Sequence, residues 1–343
     1  MSILKRKSPR IFVLCPDSNA TIGGVKILYK HVDVLNENGF DAAILHGLKG
    51  FRCTWFENDT KVESLWDTKM TEDDFLVLPE IYGPNTFESF DWKKKRFAVK
   101  YYSKYAPPVI AKKVIFNQNF YNTFSGYNFD PADKKSPYLS PDLVGVMVVS
   151  EDSRDQLKYV FPHLKIHRIH NAINAQLFSY EENKKKQICF MPRKHSDEAM
   201  AVINMLKFRG VLDGYTIVPI DNMDEQHAGR LMKESLFFFS FGYHEGFSLP
   251  PAEAMSSGCL VIGYHGKGGH EYFKGDFCFP IADSNVPKFA RTAESVLKMY
   301  EEDPAKIHTM RKKASEHIQS VFTAEREEKD ILAAWRDFLG NSF

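Results

Sequence analysis

LFFFSFGYHEGFSLPPAEAMSSGCLVIGYHGKGGHEYF, residues 236–273, decides how this chain is read. It opens on an apolar run, Leu236 to Phe241, dense enough for a strand buried on both faces. A loop with Glu245 follows. Ser248 is placed to cap a new helix, and Pro250 and Pro251 fall in its first turn, where missing N–H groups cost little. Glu253 lies on that helix, eight residues after Glu245. Gly258 is placed to end it. Cys259 to Ile262 reads as a second apolar strand, and Gly263 to Gly269 as a glycine-rich loop. The order is strand, loop, helix, strand, loop. It sets carboxylates and free N–H groups at one end of a parallel sheet, the end where open α/β sheets bind ligands.

The chemistry suits a phosphate-bearing ligand with hydroxyl groups. A helix N-terminus offers unpaired N–H donors and about half a positive charge, which fits a diphosphate. An ionised Glu253 beside it can accept two hydroxyl hydrogens at once, as a ribose diol presents them. Taken singly, Glu253 reads as well as a helix-start carboxylate, and Glu245 as a solvated loop residue. Together, bracketing a proline-marked helix start, they point to a site.

HEGFSLPPAEAMSSGCLVIGYHGKGGHE, residues 244–271, resembles the Glu-x7-Glu signature of retaining glycosyltransferases with the GT-B fold, the family-4-like or group 1 type. That signature reads close to EGFGLPxxEAMxxGxPVV, followed by GGxxE; Ser248 stands where glycine is commoner. The resemblance implies two Rossmann-like, doubly wound α/β domains facing across a cleft. It places an acceptor-side domain at 1–175, a nucleotide-sugar donor domain at 176–322, and a C-terminal helix, 323–343, crossing back to the first domain. It assigns Glu245 to the transferred sugar and Glu253 to ribose. The backbone of Phe247, Ser248 and Leu249 then holds phosphate, and Gly268 and Gly269 support sugar or phosphate. An arginine just past a strand end meets the distal phosphate in the family, which carries over to Arg193. The family's lysine comes a few residues later, where this chain has none; Lys194, or Lys267 in the glycine loop, is left to substitute.

Working outward, 343 residues allow about two domains. A formal charge of +1 gives no electrostatic case for nucleic acid. Five cysteines, at 15, 53, 189, 259 and 278, form no CxxC pair. They read as reduced core thiols of a cytosolic protein, not a disulfide frame or zinc site. No stretch reaches the ~18 apolar residues of a membrane span. MSILKRKSPR leads straight into a strand and does not read as a signal peptide.

IFVLCP, residues 11–16, reads as a buried strand. Gly23-Gly24 precede a helix with Val25, Leu28, Val32 and Leu35 on one stripe and Gly39 closing it. Ala42 to Leu45 reads as the next strand. TIGGVK is not GxGxxG, and the strand ends in His46 and Gly47 without the acidic residue of a dinucleotide site. Gly23 and Gly24 make a tight turn or let amides approach a phosphate; the resemblance favours the second. Strands at Phe75–Leu78, Val114–Phe116, Val144–Val149 and Ile166–Ile169 complete a doubly wound first domain. After the second of these the chain has Asn117, Gln118 and Asn119, where many relatives carry a histidine near the donor sugar. These amides fit sugar hydroxyls or a strand-end turn equally.

SYEENKKKQ, 179–187, reads as a linker with solvated lysines. The second domain opens with Ile188–Met191. A helix follows, given an apolar side by Met200, Ile203, Met205 and Leu206, and then a strand at Tyr215–Val218. Ala324 to Leu339 reads as an amphipathic helix through Ile331, Leu332, Trp335 and Phe338. Asp73-Asp74 lacks the DxD spacing of a metal-held diphosphate site, and the 12 histidines show no HExxH. No metal or cofactor is expected; the nucleoside-diphosphate sugar is the donor substrate. The implied function is transfer of a sugar, with retention, to a glycan or lipid-linked acceptor. A GT-B nucleotide-sugar 2-epimerase and a non-catalytic sugar-binding protein are the rival readings. Trp92 and KKKRF, with Lys100 and Lys104, read as a solvated face. The alternative is contact with anionic headgroups at the inner membrane face by a cytoplasmic, peripheral protein.

Overall fold

The computed structural model describes residues 8–81, 111–124 and 136–340. Trp92, the KKKRF run, Lys100 and Lys104 lie outside the described residues. The chain divides into two compact units. One comprises Met1–Val149, Ser153–Ile169 and Glu328–Phe343; the other comprises Ser150–Asp152 and His170–Glu327.

The first unit holds β1 (Arg10–Leu14), β2 (Asp41–His46), β3 (Val62–Ser64), β4 (Phe75–Pro79), β5 (Lys112–Asn117), β6 (Leu143–Val148) and β7 (Ile166–Arg168). They form one parallel sheet in the order β3-β2-β1-β4-β5-β6-β7. β1 and β4 are buried along their whole length, as near-continuous apolar runs require when both faces are covered. Helix α1 (Gly23–Glu37) packs through Val25, Leu28, Val32 and Leu35, all buried. It ends as the glycine predicts. Gly39 sits at φ +83°, and the Gly39 and Phe40 N–H groups return to the Asn36 and Leu35 carbonyls. Of Asp73-Asp74, Asp74 is structural: it is buried and accepts from the Arg10 N–H at 2.8 Å and from Thr71. Helix α2 (Glu151–Val160) follows β6.

The last helix, α8 (Ala324–Leu339), belongs to the first unit from Glu328 onward. Its Trp335 is fully buried, edge-on to Phe75, and donates to His31 Nε2 at 2.8 Å. Burial pushes His31 down to about 3, so its ring is neutral and can accept. Gly145 is required beneath this helix, because a Cβ there would fall 2.3 Å from the Phe338 ring.

The second unit holds β8 (Lys185–Phe190), β9 (Thr216–Pro219), β10 (Ser235–Ser240), β11 (Leu260–Tyr264) and β12 (Phe279–Ile281). The sheet is parallel, in the order β12-β11-β10-β8-β9. Its helices are α3 (Ser196–Phe208), α4 (Glu225–Glu234), α5 (Leu249–Ser256), α6 (Val286–Glu302) and α7 (Pro304–Val321). Phe237, Phe239, Ile188, Leu260 and Ile262 form the core with Phe289 and Val296 of α6.

Two expectations are corrected here. Residues 179–187 are not a linker, because they are tied into the second unit. The Lys184 ammonium donates to the Met232 carbonyl at 2.9 Å and the Ser257 carbonyl at 2.6 Å, and Lys185 starts β8. On α3 the buried face is Ala199, Val202, Ile203 and Leu206, while Met200 and Met205 are exposed. All five cysteines are buried and unpaired. No described helix is long and apolar enough to cross a membrane.

Candidate active site

Each sheet reverses its winding at one place. In the second unit the chain runs outward from β8 to β9, then returns to the other side of β8 with β10. Loops after β8 and β10 therefore leave in opposite directions and frame a crevice at the strand ends, the position favoured for ligands. The β8 loop carries Arg193 and Lys194; the β10 loop carries Glu245 and leads into α5.

The structure joins two of these residues directly. The Lys194 ammonium donates to the Glu245 carboxylate, with the lysine side chain 41% and the glutamate 20% exposed. Arg193 is exposed and pairs with none of the described carboxylates, so its guanidinium is open to an incoming anion.

The loop after β11 packs against the Glu245 loop, backbone on backbone. The Glu245 N–H donates to the Gly266 carbonyl at 2.8 Å, and the Glu245 carbonyl accepts from the Gly268 N–H at 3.2 Å. This approach demands glycine: a Cβ on Gly268 would lie 1.7 Å from the Gly246 carbonyl oxygen. Gly269 is buried under the Tyr272 ring. The buried Tyr272 hydroxyl donates to the Ser248 carbonyl and, at 3.3 Å, lies by that of Phe247, fixing the turn into α5.

Ser248 occupies the N-cap position of α5 but does not cap it with its side chain. Its backbone is left-handed, at φ 64° and ψ 75°. A side chain there costs about 1–2 kcal/mol relative to glycine. Pro250 and Pro251 lie in the first turn, so the early backbone donors of α5 are few, Leu249 among them. Glu253 follows on α5, half-buried. The helix ends at Gly258, φ +83°, with the Gly258 and Cys259 N–H groups returning to Met255 and Ala254.

Three carboxylates, two of them near these strand ends, carry chemistry that the sequence did not single out. Glu198, in the first turn of α3, accepts from Tyr264 at 2.7 Å and from Tyr243 and Ser284 at 2.8 Å. Burial works to raise its carboxyl, but these hydrogen bonds outweigh it and hold it below the usual range. Tyr243 stacks on His195, ring centroids 3.8 Å apart. Asp283, after β12, faces the Lys267 ammonium at 3.3 Å. The third, Glu80, belongs to the first unit.

There the winding reverses between β1 and β4. Gly23-Gly24 follow β1, and Glu80 follows β4 directly. Burial pushes the Glu80 carboxyl up to about 7, against hydrogen bonds from the Gln118 N–H at 2.9 Å and the Asn122 amide at 3.4 Å. The Gln118 side chain donates to the Gly24 carbonyl at 3.0 Å, so these two candidates do meet. Asn117 lies at the end of β5, its Oδ1 without a hydrogen-bond partner among the described residues. It is fully buried and spends its amide on Thr123 and Tyr138, at 2.8 and 2.7 Å. Asn119 caps a short turn through the Tyr121 N–H at 3.1 Å. A lone acidic residue ending an apolar run was the only sequence signal for Glu80.

No family model matches the chain. An alpha-1,6-glucosyltransferase of Actinobacillus pleuropneumoniae is 28% identical over 160 residues, 46% of this chain and 47% of that protein. The match thus spans about half the length of that curated relative. Among solved structures, sucrose-phosphate synthase from Thermosynechococcus elongatus superposes with a TM-score of 0.65 at 11% identity, covering 96% of this chain and 98% of that one. The pneumococcal O-GlcNAc transferase GtfA, solved with UDP and GlcNAc, gives 0.63 at 11% identity, covering 98% and 99%. Likeness of this extent establishes the fold: two parallel, doubly wound α/β units of the GT-B type.

Proposed function

We propose that the chain is a retaining glycosyltransferase. It moves a sugar from a nucleoside-diphosphate sugar to a hydroxyl of a glycan or glycolipid acceptor, without a metal cofactor. The observation that carries this reading is the β8/β10 reversal, which gathers Arg193, Lys194, Glu245 and the start of α5 at one set of strand ends. The glucosyltransferase relative and the transferase-bearing GT-B neighbours support it.

In this reading the second unit holds the donor and the first serves the acceptor. Glu253 takes the ribose diol. The backbone at Phe247 to Leu249, with Arg193, takes the diphosphate. As the bond from the anomeric carbon to the phosphate oxygen breaks, negative charge gathers on that oxygen. A fixed guanidinium and backbone donors then lower the barrier. The acceptor oxygen attacks the same face, and its proton passes to the departing phosphate oxygen, so no separate base is needed. Glu245, held by Lys194, lies against the transferred sugar.

The test is a calorimetric screen of UDP, GDP and ADP and their sugars, followed by turnover with EDTA present and NMR of the product anomer. Glu253→Ala should weaken donor binding about tenfold or more. Arg193→Ala should lower turnover by about a hundredfold or more. Wild-type kinetics in both variants, or inversion at the anomeric carbon, would refute the proposal.

A further inference from the structure

Lys267 occupies a backbone conformation made for glycine. It sits at φ 72° and ψ −73°, and the Gly268 N–H donates across it to the Gly266 carbonyl at 3.1 Å. These are the angles and the hydrogen bond of the strained form of the three-residue turn. The turn is clamped by the Glu245 backbone on one side and by close glycine contacts on both flanks. Glycine would fit position 267 without strain, yet the chain has a lysine there. Strain of this kind persists where the side chain has a use.

What the side chain reaches is a second, independent observation. Its ammonium stands 3.3 Å from Asp283, whose side chain is only 9% exposed. Neither Asp283 oxygen accepts a hydrogen bond, though buried carboxylates ordinarily collect several. The Asp283 carboxylate therefore serves as a charge partner for Lys267. Its neighbour Ser284 is bonded to Glu198 in the first turn of α3, so this ion pair lies beside the helix that Arg193 and Lys194 lead into. Lys194 and Lys267 are thus each held by a carboxylate, Glu245 and Asp283, and are exposed alike, at 41% and 42%.

We propose that Lys267 is a ligand-binding residue for the donor diphosphate and that Asp283 is the positioning residue that aims its ammonium. The strained turn sets the lysine among the strand ends, and Asp283 keeps it from folding out to solvent. This rests on the donor-binding reading of the second unit.

The experiment measures UDP, GDP and ADP affinity and melting temperature for the full chain. The proposal expects affinity for the nucleotide that binds wild type to fall about tenfold or more in Lys267→Gly, and the melting temperature to rise by about 2 °C or more in Lys267→Gly combined with Asp283→Asn, which releases the strain without leaving a buried carboxylate unpaired. Lys267→Arg should keep most of that affinity. Asp283→Asn should weaken binding, and adding it to Lys267→Gly should weaken binding no further. Unchanged nucleotide affinity in Lys267→Gly would overturn the proposal, as would a fall in the melting temperature of the double variant. If wild type itself binds none of the three nucleotides, the donor reading fails, a result distinct from binding that survives loss of the lysine.

Discussion

Glu80 carries the clearest titration in the first unit. Burial raises its carboxyl from the ordinary 4.5 to about 7. The folded chain therefore holds a proton that the unfolded chain has released. Stability from this group is whole below about pH 4.5 and is lost as pH rises through 7, a loss of about 3 kcal/mol. Glu80→Gln should remove that slope. Urea midpoints at pH 5 and pH 8 check it: the drop seen in wild type should be absent in the variant, and equal drops would sink the assignment. Ser248 teaches a different lesson at the same scale. Serine before a helix predicts a cap, yet here the backbone is left-handed and the side chain caps nothing. The cause is tertiary. Gly268 presses on the Gly246 peptide, and Tyr272 binds the Phe247 and Ser248 carbonyls. Neither contact can be read from the local sequence.

Element ends were legible where a glycine supplies the stop. Gly39 and Gly258 end α1 and α5 with paired return hydrogen bonds, because only glycine adopts that backbone freely. What surrounds those ends was not legible. The 179–187 run looks like a linker by its charge, but Arg311 of α7 holds it. That guanidinium is fully buried and donates to the carbonyls of Gly258 at 2.6 Å, Glu181 at 2.9 Å and Glu182 at 3.2 Å. One side chain thus ties the segment before β8 to the end of α5, the helix that carries Glu253. Arg311→Met keeps the apolar stem and leaves three carbonyls without their donor. A cost of about 2–4 kcal/mol follows. Chemical denaturation should show the midpoint falling with the slope unchanged; a midpoint within error of wild type would show that solvent satisfies those carbonyls instead.

At the scale of the molecule, two doubly wound sheets were legible because their strands are short apolar runs separated by helical stripes. The strand order is what turns that pattern into sites, since it sets the winding reversals beside Gly23-Gly24 and beside Arg193 and Glu245. The distribution of tryptophan makes the donor assignment testable. Of the four tryptophans, those at 55, 66 and 335 lie among the described residues of the first unit, and the second unit's sequence has none. Tryptophan fluorescence therefore reports the unfolding of the first unit, while far-UV circular dichroism reports both. A nucleotide held by the second unit should stabilise that unit by about 2.7 kcal/mol at a hundred times its dissociation constant. With UDP, GDP or ADP, whichever binds, the dichroism transition should move upward and the tryptophan transition should move less. Equal shifts in the two signals would mean that the ligand's grip extends to the first unit or that the units unfold as one. Equal shifts of two transitions that are separate without nucleotide would overturn an account in which the loops after β8, β10 and β11 hold the donor by themselves.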